Sequence, residues 1–477
     1  MIPIVTPEEM AVVDAAACDP VEVLVARAGA AVARAAVELM GGMYGRRVVV
    51  VAGKGNNGAD GRHAAGWLRR RGVRVTLIDA ADAGRRHSPL PVCHLVIDAA
   101  YGTGFRGTWS ATADHRRKGY RAPDPGQAPV LAVDIPSGVD GRTGEAGDGV
   151  LGARRTVTFA ALKPGLLLGR GRTLAGQVTV SDIGLDAGPC AHAHLLTEAD
   201  VAARLPPRPP ETHKWRTAVW VVAGSPGMTG AAFLAARGAQ RAGAGYVRLS
   251  SPAAGTDSGG EGAPVEAVRT ALPAHHWADV VLGDLDRFHA VVVGPGLGRD
   301  PATTAEVRRL VDRSPVPVVV DGDGLAALGE RPTGLVATTV VTPHDGEYAR
   351  LTGHRPAADR LAAARQLAAD SGATTLLKGS TTVVAEPGGE VLVSTTGGPA
   401  LGTAGTGDVL SGVAGAMLAG GLPPALAAAT AAYVHGRAGA LGWPRGLVAG
   451  DLPDLLPAVF AQLLSHPVQP DHHHDHD

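Results

Sequence analysis

The 477-residue chain contains two asparagines, Asn56 and Asn57, and they stand side by side in Gly53-Lys54-Gly55-Asn56-Asn57-Gly58-Ala59-Asp60-Gly61. Lysine is nearly as scarce. Of 44 Lys and Arg residues five are lysine, and Lys54, Lys163, Lys214 and Lys378 each adjoin a short Gly, Pro or His motif. In a chain rich in Ala, Gly, Arg and Val, these residues mark positions where Arg, Asp or Ser would fail. Lysine is a compact charge with a movable pKa, whereas arginine is a rigid fork. A glycine-rich turn that opens onto a helix offers backbone N–H groups to an anion, so the first string suits a phosphate or pyrophosphate. Gly402-Thr403-Ala404-Gly405-Thr406-Gly407-Asp408 has the same logic, and Asp408 in the first helical turn is placed to take a proton from a hydroxyl. That is the chemistry of phosphoryl transfer without a Walker lysine. By itself the string is equally compatible with a plain acidic helix start.

Strands and helices must hold these strings. Short β-branched runs recur near residues 48–52, 73–79, 94–100, 129–134, 156–161 and 177–182, and a helical stretch over 60–71 separates the first two. This alternation predicts a mostly parallel sheet covered by helices. The Pro-rich Leu205-Pro206-Pro207-Arg208-Pro209-Pro210 reads as a stiff extended linker. Beyond it, strands are expected near 219–223, 290–293, 316–320, 340–342 and 375–378, with long helices over 407–419 and 424–441. The expected domains are 1–205 and 206–465, both α/β, followed by a His/Asp-rich tail over 466–477 that reads as disordered rather than metal-binding. Residues 251–264, rich in Gly and Ser, read as a mobile surface loop. Open α/β sheets bind ligands at the carboxyl ends of their strands, so two sites are expected.

Composition narrows the partners. A formal net charge of -1 with both signs interspersed argues against nucleic acid or an anionic membrane. The three cysteines, Cys18, Cys93 and Cys190, have no metal-ligand spacing and suit a reducing cytoplasm. Without a leader-like N-terminus or a long apolar run, the expectation is a cytoplasmic protein. The sequence leaves the oligomeric state open, a homo-oligomer included.

In the second half, Thr342-Pro343-His344-Asp345-Gly346-Glu347, Lys378-Gly379-Ser380-Thr381 and Gly405-Thr406-Gly407-Asp408 occur in order, with Val293-Gly294-Pro295-Gly296-Leu297-Gly298, His213-Lys214 and Thr229-Gly230-Ala231 upstream. This set resembles the ribokinase-like NAD(P)H-hydrate dehydratases over residues 206–442. The resemblance implies a ribokinase-like fold and the use of ADP, with Mg²⁺, to dehydrate a hydrated nicotinamide. It implies that Lys378, Gly379, Ser380, Thr381, Thr382 and Gly407 hold the nucleotide phosphates. Ala231, Gly296, His344 and Asp408 would line the hydrate pocket, with Asp408 as catalytic base. His344 has a second reading as a helix cap. Trp215 stands where the family usually has glycine, and Asp321-Gly322-Asp323-Gly324-Leu325 replaces its usual Asp-Ala-Asp-Ala-Leu. A small-molecule kinase of the same superfamily is the competing reading.

In the first half, the Asn-Asn string is followed by Asp98-Ala99-Ala100-Tyr101-Gly102-Thr103-Gly104-Phe105-Arg106-Gly107, Asp134-Ile135-Pro136-Ser137-Gly138 and Lys163-Pro164-Gly165. Together these resemble the NAD(P)H-hydrate epimerases over residues 4–186, with a Rossmann-like fold. By that resemblance Asn57, Asp98 and Ser137 coordinate K⁺, and their oxygens are suitable hard ligands. Asn56, Asn57, Gly58, Ala59, Asp60, Gly102, Thr103, Gly104, Phe105, Arg106, Gly107, Thr108 and Asp134 would contact the hydrate, NADHX or NADPHX. Asp134 is the first choice for proton transfer and Lys163 the second. Asp98 and Ser137 can also be read as turn and cap residues, and the whole half as a non-catalytic scaffold. Ala59 replaces the family's usual glycine, which predicts an ordinary φ there. The segment 109–125 reads as a loose lid or an eroded helix.

Overall fold

The computed structural model describes residues 1–83, 90–105, 128–252 and 262–465. The expected lid and tail, most of the Gly/Ser loop, and Arg106, Gly107 and Thr108 lie outside the described residues. Two compact units emerge, one over Ile2–Ala193 and one from His194 onward. The division falls ahead of the Pro-rich stretch expected to mark it. Helix Glu198–Arg204 lies in the second unit because Leu196 and Val201 are buried in that unit's core.

In the first unit, β1 (Ile2–Ile4) bridges to Leu162. The sheet itself is built from β2 (Arg47–Ala52), β3 (Arg74–Asp79), β4 (Leu95–Ala99), β5 (Val130–Val133), β6 (Arg155–Phe159) and β7 (Gln177–Ser181). They pair in the order β3-β2-β4-β5-β6-β7, all parallel. The central strands are unbroken apolar runs because both faces are covered: all of β4 and β5 is buried. The chain leaves β2 for β3 on one side and returns to β4 on the other, which opens a switch point between the ends of β2 and β4. Close approach there requires Gly53, since a Cβ at that residue would fall 1.9 Å from the Ala100 carbonyl oxygen.

A short β8 (Ala193–Leu195) leads into the second unit. Its sheet contains β9 (Ala218–Val222), β10 (Tyr246–Ser250), β11 (Val268–Arg269), β12 (Ala290–Val293), β13 (Val318–Val320), β14 (Thr339–Val341), β15 (Thr374–Leu377), β16 (Thr382–Ala385) and β17 (Val391–Ser394). The order is β17-β16-β15-β14-β13-β12-β9-β10-β11. The hairpin β16/β17 runs antiparallel and the rest parallel, with a second switch point between β9 and β12. Helices Thr229–Arg241 and Thr406–Ala419 pack backbone to backbone: a Cβ on Gly412 would fall 2.0 Å from the Ala235 carbonyl oxygen. That contact fixes where the Gly-Thr-Gly-Asp helix starts. Among the described residues no helix is long and apolar enough to cross a membrane.

Candidate active sites

At the first switch point lies a cavity of about 650 Å³. Asn56, Asn57, Asp60, Gly102, Thr103, Gly104, Phe105, Asp134 and Lys163 line it, with Asp14 and apolar residues of helices Pro7–Ala15 and Val21–Met40. The helix begins earlier than expected, at Asn56, so both asparagines sit in its first turn rather than in the loop. No side chain caps that turn, and an uncapped helix start is the kind of element that accepts an anion. Gly58 and Ala59 are helical and do not line the cavity; Ala59 has the ordinary φ expected of it.

Asp134 occupies the left-handed region, φ 66°, an uncommon conformation for a residue other than glycine. Its Oδ1 accepts from Thr158 Oγ1 at 3.1 Å and pairs with Lys163 Nζ at 2.9 Å, while its Oδ2 accepts from the Thr103 amide at 2.9 Å and from the Thr103 hydroxyl. Lys163 is 1% exposed and also donates to the Thr158 hydroxyl and the Phe159 carbonyl. Burial pushes Asp134 up, but the Lys163 ammonium and the Thr103 donors outweigh it and hold the carboxyl below the usual range. Asp60 goes the other way: burial, then the Asp134 and Asp14 charges, push it up to about 8.

Asp98 and Ser137 lie behind the cavity wall and grip each other, with the Ser137 amide on Asp98 Oδ2 at 2.9 Å and the Ser137 hydroxyl on Oδ1 at 2.6 Å. The Tyr101 amide donates to Ser137 Oγ at 2.9 Å, which ties the pair to the strand end carrying Thr103. Burial raises Asp98 despite these bonds. Asn57 is different in kind: both side-chain amide atoms are buried and make no hydrogen bond among the described residues. Buried polar atoms rarely go unpaired unless water or an ion serves them.

In the second unit Gly405, with φ 90°, precedes helix Thr406–Ala419, whose start also lacks a side-chain cap. Asp408, the third residue of that helix, meets the ends of three strands. Lys378 Nζ, after β15, lies 2.8 Å from Asp321 Oδ1 and 3.4 Å from Glu347 Oε2. Ser411 Oγ donates to Asp321 Oδ2 at 2.7 Å. A Cβ on Gly407 would lie 3.4 Å from Lys378 Nζ, so the lysine reaches the helix start. Burial and the neighbouring Asp321 push Asp408 up to about 7. Asp321, though buried, is held below the usual range by Lys378.

The other expected residues fall around this centre. Ala231 and Gly296 adjoin, the Ala231 methyl lying 3.0 Å from where a Gly296 Cβ would be. His344 caps helix Asp345–Thr352: its Nδ1 accepts from the Gly346 amide at 2.9 Å, which puts the ring proton on Nε2. Gly379, Ser380 and Thr381 form the turn between β15 and β16, and Thr382 is the first residue of β16. Arg360 clamps that turn, donating to the Lys378 carbonyl at 2.8 Å and to Asp345 Oδ1 at 2.8 Å. His435 Nε2 lies 2.9 Å from the Thr406 carbonyl and, buried, is pushed down to about 4, so the neutral ring braces the helix start.

Comparison with known proteins decides between the readings of these two centres. The profile of the NAD(P)H-hydrate dehydratases matches residues 219–458, and that of the YjeF-related protein N-terminus matches 21–89 and 78–165. The bifunctional NAD(P)H-hydrate repair enzyme of Mycobacterium tuberculosis is 41% identical over 82% of this chain and 82% of its own length. That of Moorella thermoacetica is 36% identical over 89% of both. The chain belongs to the bifunctional NAD(P)H-hydrate repair enzymes. A solved ADP/ATP-dependent NAD(P)H-hydrate dehydratase from Bacillus subtilis, co-crystallised with ATP and Mg²⁺, is 31% identical with a TM-score of 0.50, covering 56% of this chain and 98% of its own.

Within this repair family the chain's departures have structural explanations. Trp215 stacks on Tyr246 at 4.1 Å and carries the Arg287 guanidinium 3.7 Å above its ring, so it serves packing, while Lys214 beside it is exposed. Four polar residues of the two centres escaped the sequence-based choice of site residues. Asp321 and Thr158 stood in strings whose neighbours drew the attention; a lone aspartate closing an apolar strand, as Asp321 does, is the signal that marks a paired buried charge. Glu347 closed the Thr342–Glu347 string without a role of its own. Asp14 has no local signal, because only the tertiary fold brings helix Pro7–Ala15 to the cavity.

Proposed function

We propose that the first unit interconverts the R and S hydrates of NADH and NADPH, and that the second dehydrates the S form, consuming ADP and releasing AMP and phosphate. The observation that carries this is the pairing, in one chain of the repair family, of two strand-end sites that each hold a helix start without a side-chain cap and a carboxyl of raised proton affinity.

In the second site Asp408, poised near 7, takes the proton of the C6 hydroxyl as that oxygen attacks the β-phosphorus of ADP, and AMP leaves. The helix-start amides stabilise charge on the transferring group. The ring nitrogen then expels phosphate from C6, and loss of the C5 proton restores the dihydronicotinamide. Lys378, already bound by Asp321 and Glu347, holds the Asp321 carboxyl below the usual range and adds positive charge at Gly407. Mg²⁺ is expected to enter with the nucleotide phosphates.

Potassium fits the first site. Asn57 would supply a buried amide oxygen that has no partner among the described residues, Asp98 a buried carboxylate, and Ser137 a hydroxyl. Bound there, it would neutralise Asp98 and stiffen the strand end that presents Thr103. The protein is expected to release AMP and phosphate in step with recovered NADH, and to epimerise faster in K⁺ than in a bulky, non-coordinating cation. Turnover with ATP and none with ADP would overturn the nucleotide assignment, and a phosphorylated alcohol product would favour the kinase reading.

A further inference from the structure

The epimerase cavity holds two buried carboxyls of opposite character, and they invite opposite roles. Both oxygens of Asp134 are already committed, to Lys163, Thr158 and the amide and hydroxyl of Thr103. A carboxylate so bound, on a left-handed backbone, is built to hold its neighbours in place. Asp60 lines the same cavity, is 7% exposed, and makes no hydrogen bond among the described residues. Its position is fixed from behind, where helix Val21–Met40 packs so closely that a Cβ on Gly29 would fall 2.9 Å from the Asp60 carbonyl oxygen.

Resting on the epimerase reading of this site, we propose that Asp60 is the catalytic acid that moves the proton at C6, and that Asp134 is a positioning residue. Protonated Asp60 donates to the C6 hydroxyl as the N1 lone pair forms C6=N1 and the C6–O bond breaks, releasing water. Water then adds to the other face of C6, and its surplus proton returns to the Asp60 carboxylate. No atom or electron is gained or lost across the cycle. The charged groups around Asp60 support this assignment: Asp14 from the first helix, Asp79 at the end of β3 and Asp134 after β5 are acidic, and the two lysines of the lining are Lys163, committed to Asp134, and Lys54 in the glycine turn. With its proton affinity raised to about 8, Asp60 is an acid at neutral pH, whereas Asp134 is not. Two titratable groups pushed apart by their surroundings are the usual mark of divided acid and base roles.

The test is Asp60→Asn in the full chain, following R/S interconversion of NADH hydrate without nucleotide. The expected result is a fall of roughly 100-fold or more in the rate constant with little change in KM, while dehydration of supplied S hydrate stays at the wild-type rate. Wild-type epimerisation should decline as pH rises through about 8, and the residual activity of the variant should lack that decline. Asp60→Ser gives a second variant should the first fold poorly. An Asp60→Asn protein within about threefold of wild type, or one that keeps the alkaline decline, overturns the inference. A wild type that leaves the epimer ratio unchanged would remove the epimerase reading itself, a separate outcome.

Discussion

The two units share no strand order, yet each buries a lysine–aspartate pair beside a second aspartate whose proton affinity is raised. In the first unit Lys163 and Asp134 lie 2.9 Å apart and Asp60 is pushed to about 8; in the second Lys378 and Asp321 lie 2.8 Å apart and Asp408 is pushed to about 7. The difference is in what surrounds the raised carboxyl. Asp408 sits in the first turn of its helix with Lys378 at the helix start, an arrangement that moderates its affinity and suits a base. Asp60 sits two residues deeper in its helix, flanked by two further aspartates, and suits an acid. Under the proposed roles, the same kind of lysine–aspartate pair would accompany opposite proton transfers in the two units.

The largest expected effect that sharpens this comparison is Asp408→Asn. Dehydration should fall by about 10² to 10⁴, because the base is lost while size is kept, and epimerisation should not change. In the wild type dehydration should rise as pH rises through about 7, where Asp408 ionises. A dehydration rate flat across that range would take the base role from Asp408.

Breaking the pairs comes next. Asp134→Asn leaves the buried Lys163 without its carboxylate and should cost about 3–5 kcal/mol in chemical denaturation of the first unit, whereas Asp321→Asn should cost less in the second, because Glu347 still faces Lys378. Both carboxyls titrate below their ordinary value of 3.8 when folded, so their contribution is present above that pH and is lost as pH falls through the folded values. Wild-type stability should therefore drop below about pH 4 more steeply than that of either variant. Equal acid sensitivity in all three proteins would show that the pairs do not act this way.

Much of this was legible in the sequence because parallel strands buried on both faces must be apolar runs, and strings such as Asn56-Asn57 and Gly405 to Asp408 sit where those runs end. The β16/β17 hairpin was not, since Thr382-Val383-Val384-Ala385 and Val391-Leu392-Val393-Ser394 have no alternation to separate them from parallel strands. The left-handed backbone of Asp134 is announced by no local residue type. Asp14 and Asp321 matter through charged partners 46 to 149 positions away, beyond the reach of any local motif.

A smaller effect probes the helix that carries Asp60. Because Ala59 is helical, Ala59→Gly should destabilise the first unit by roughly 0.5–1 kcal/mol in a denaturant titration, despite restoring the family's usual residue. A stabilised variant would mean that the glycine serves the backbone there after all.

The most direct measurement supplies the full chain with R hydrate of NADH alone. Without nucleotide, the reaction should stop at a mixture of R and S hydrates; with ADP, all of it should become NADH, and the Asp408→Asn protein with ADP should stop again at the mixture. R hydrate that stays R under every condition, or R hydrate that becomes NADH with ADP but never yields S without it, would contradict two linked sites working in sequence.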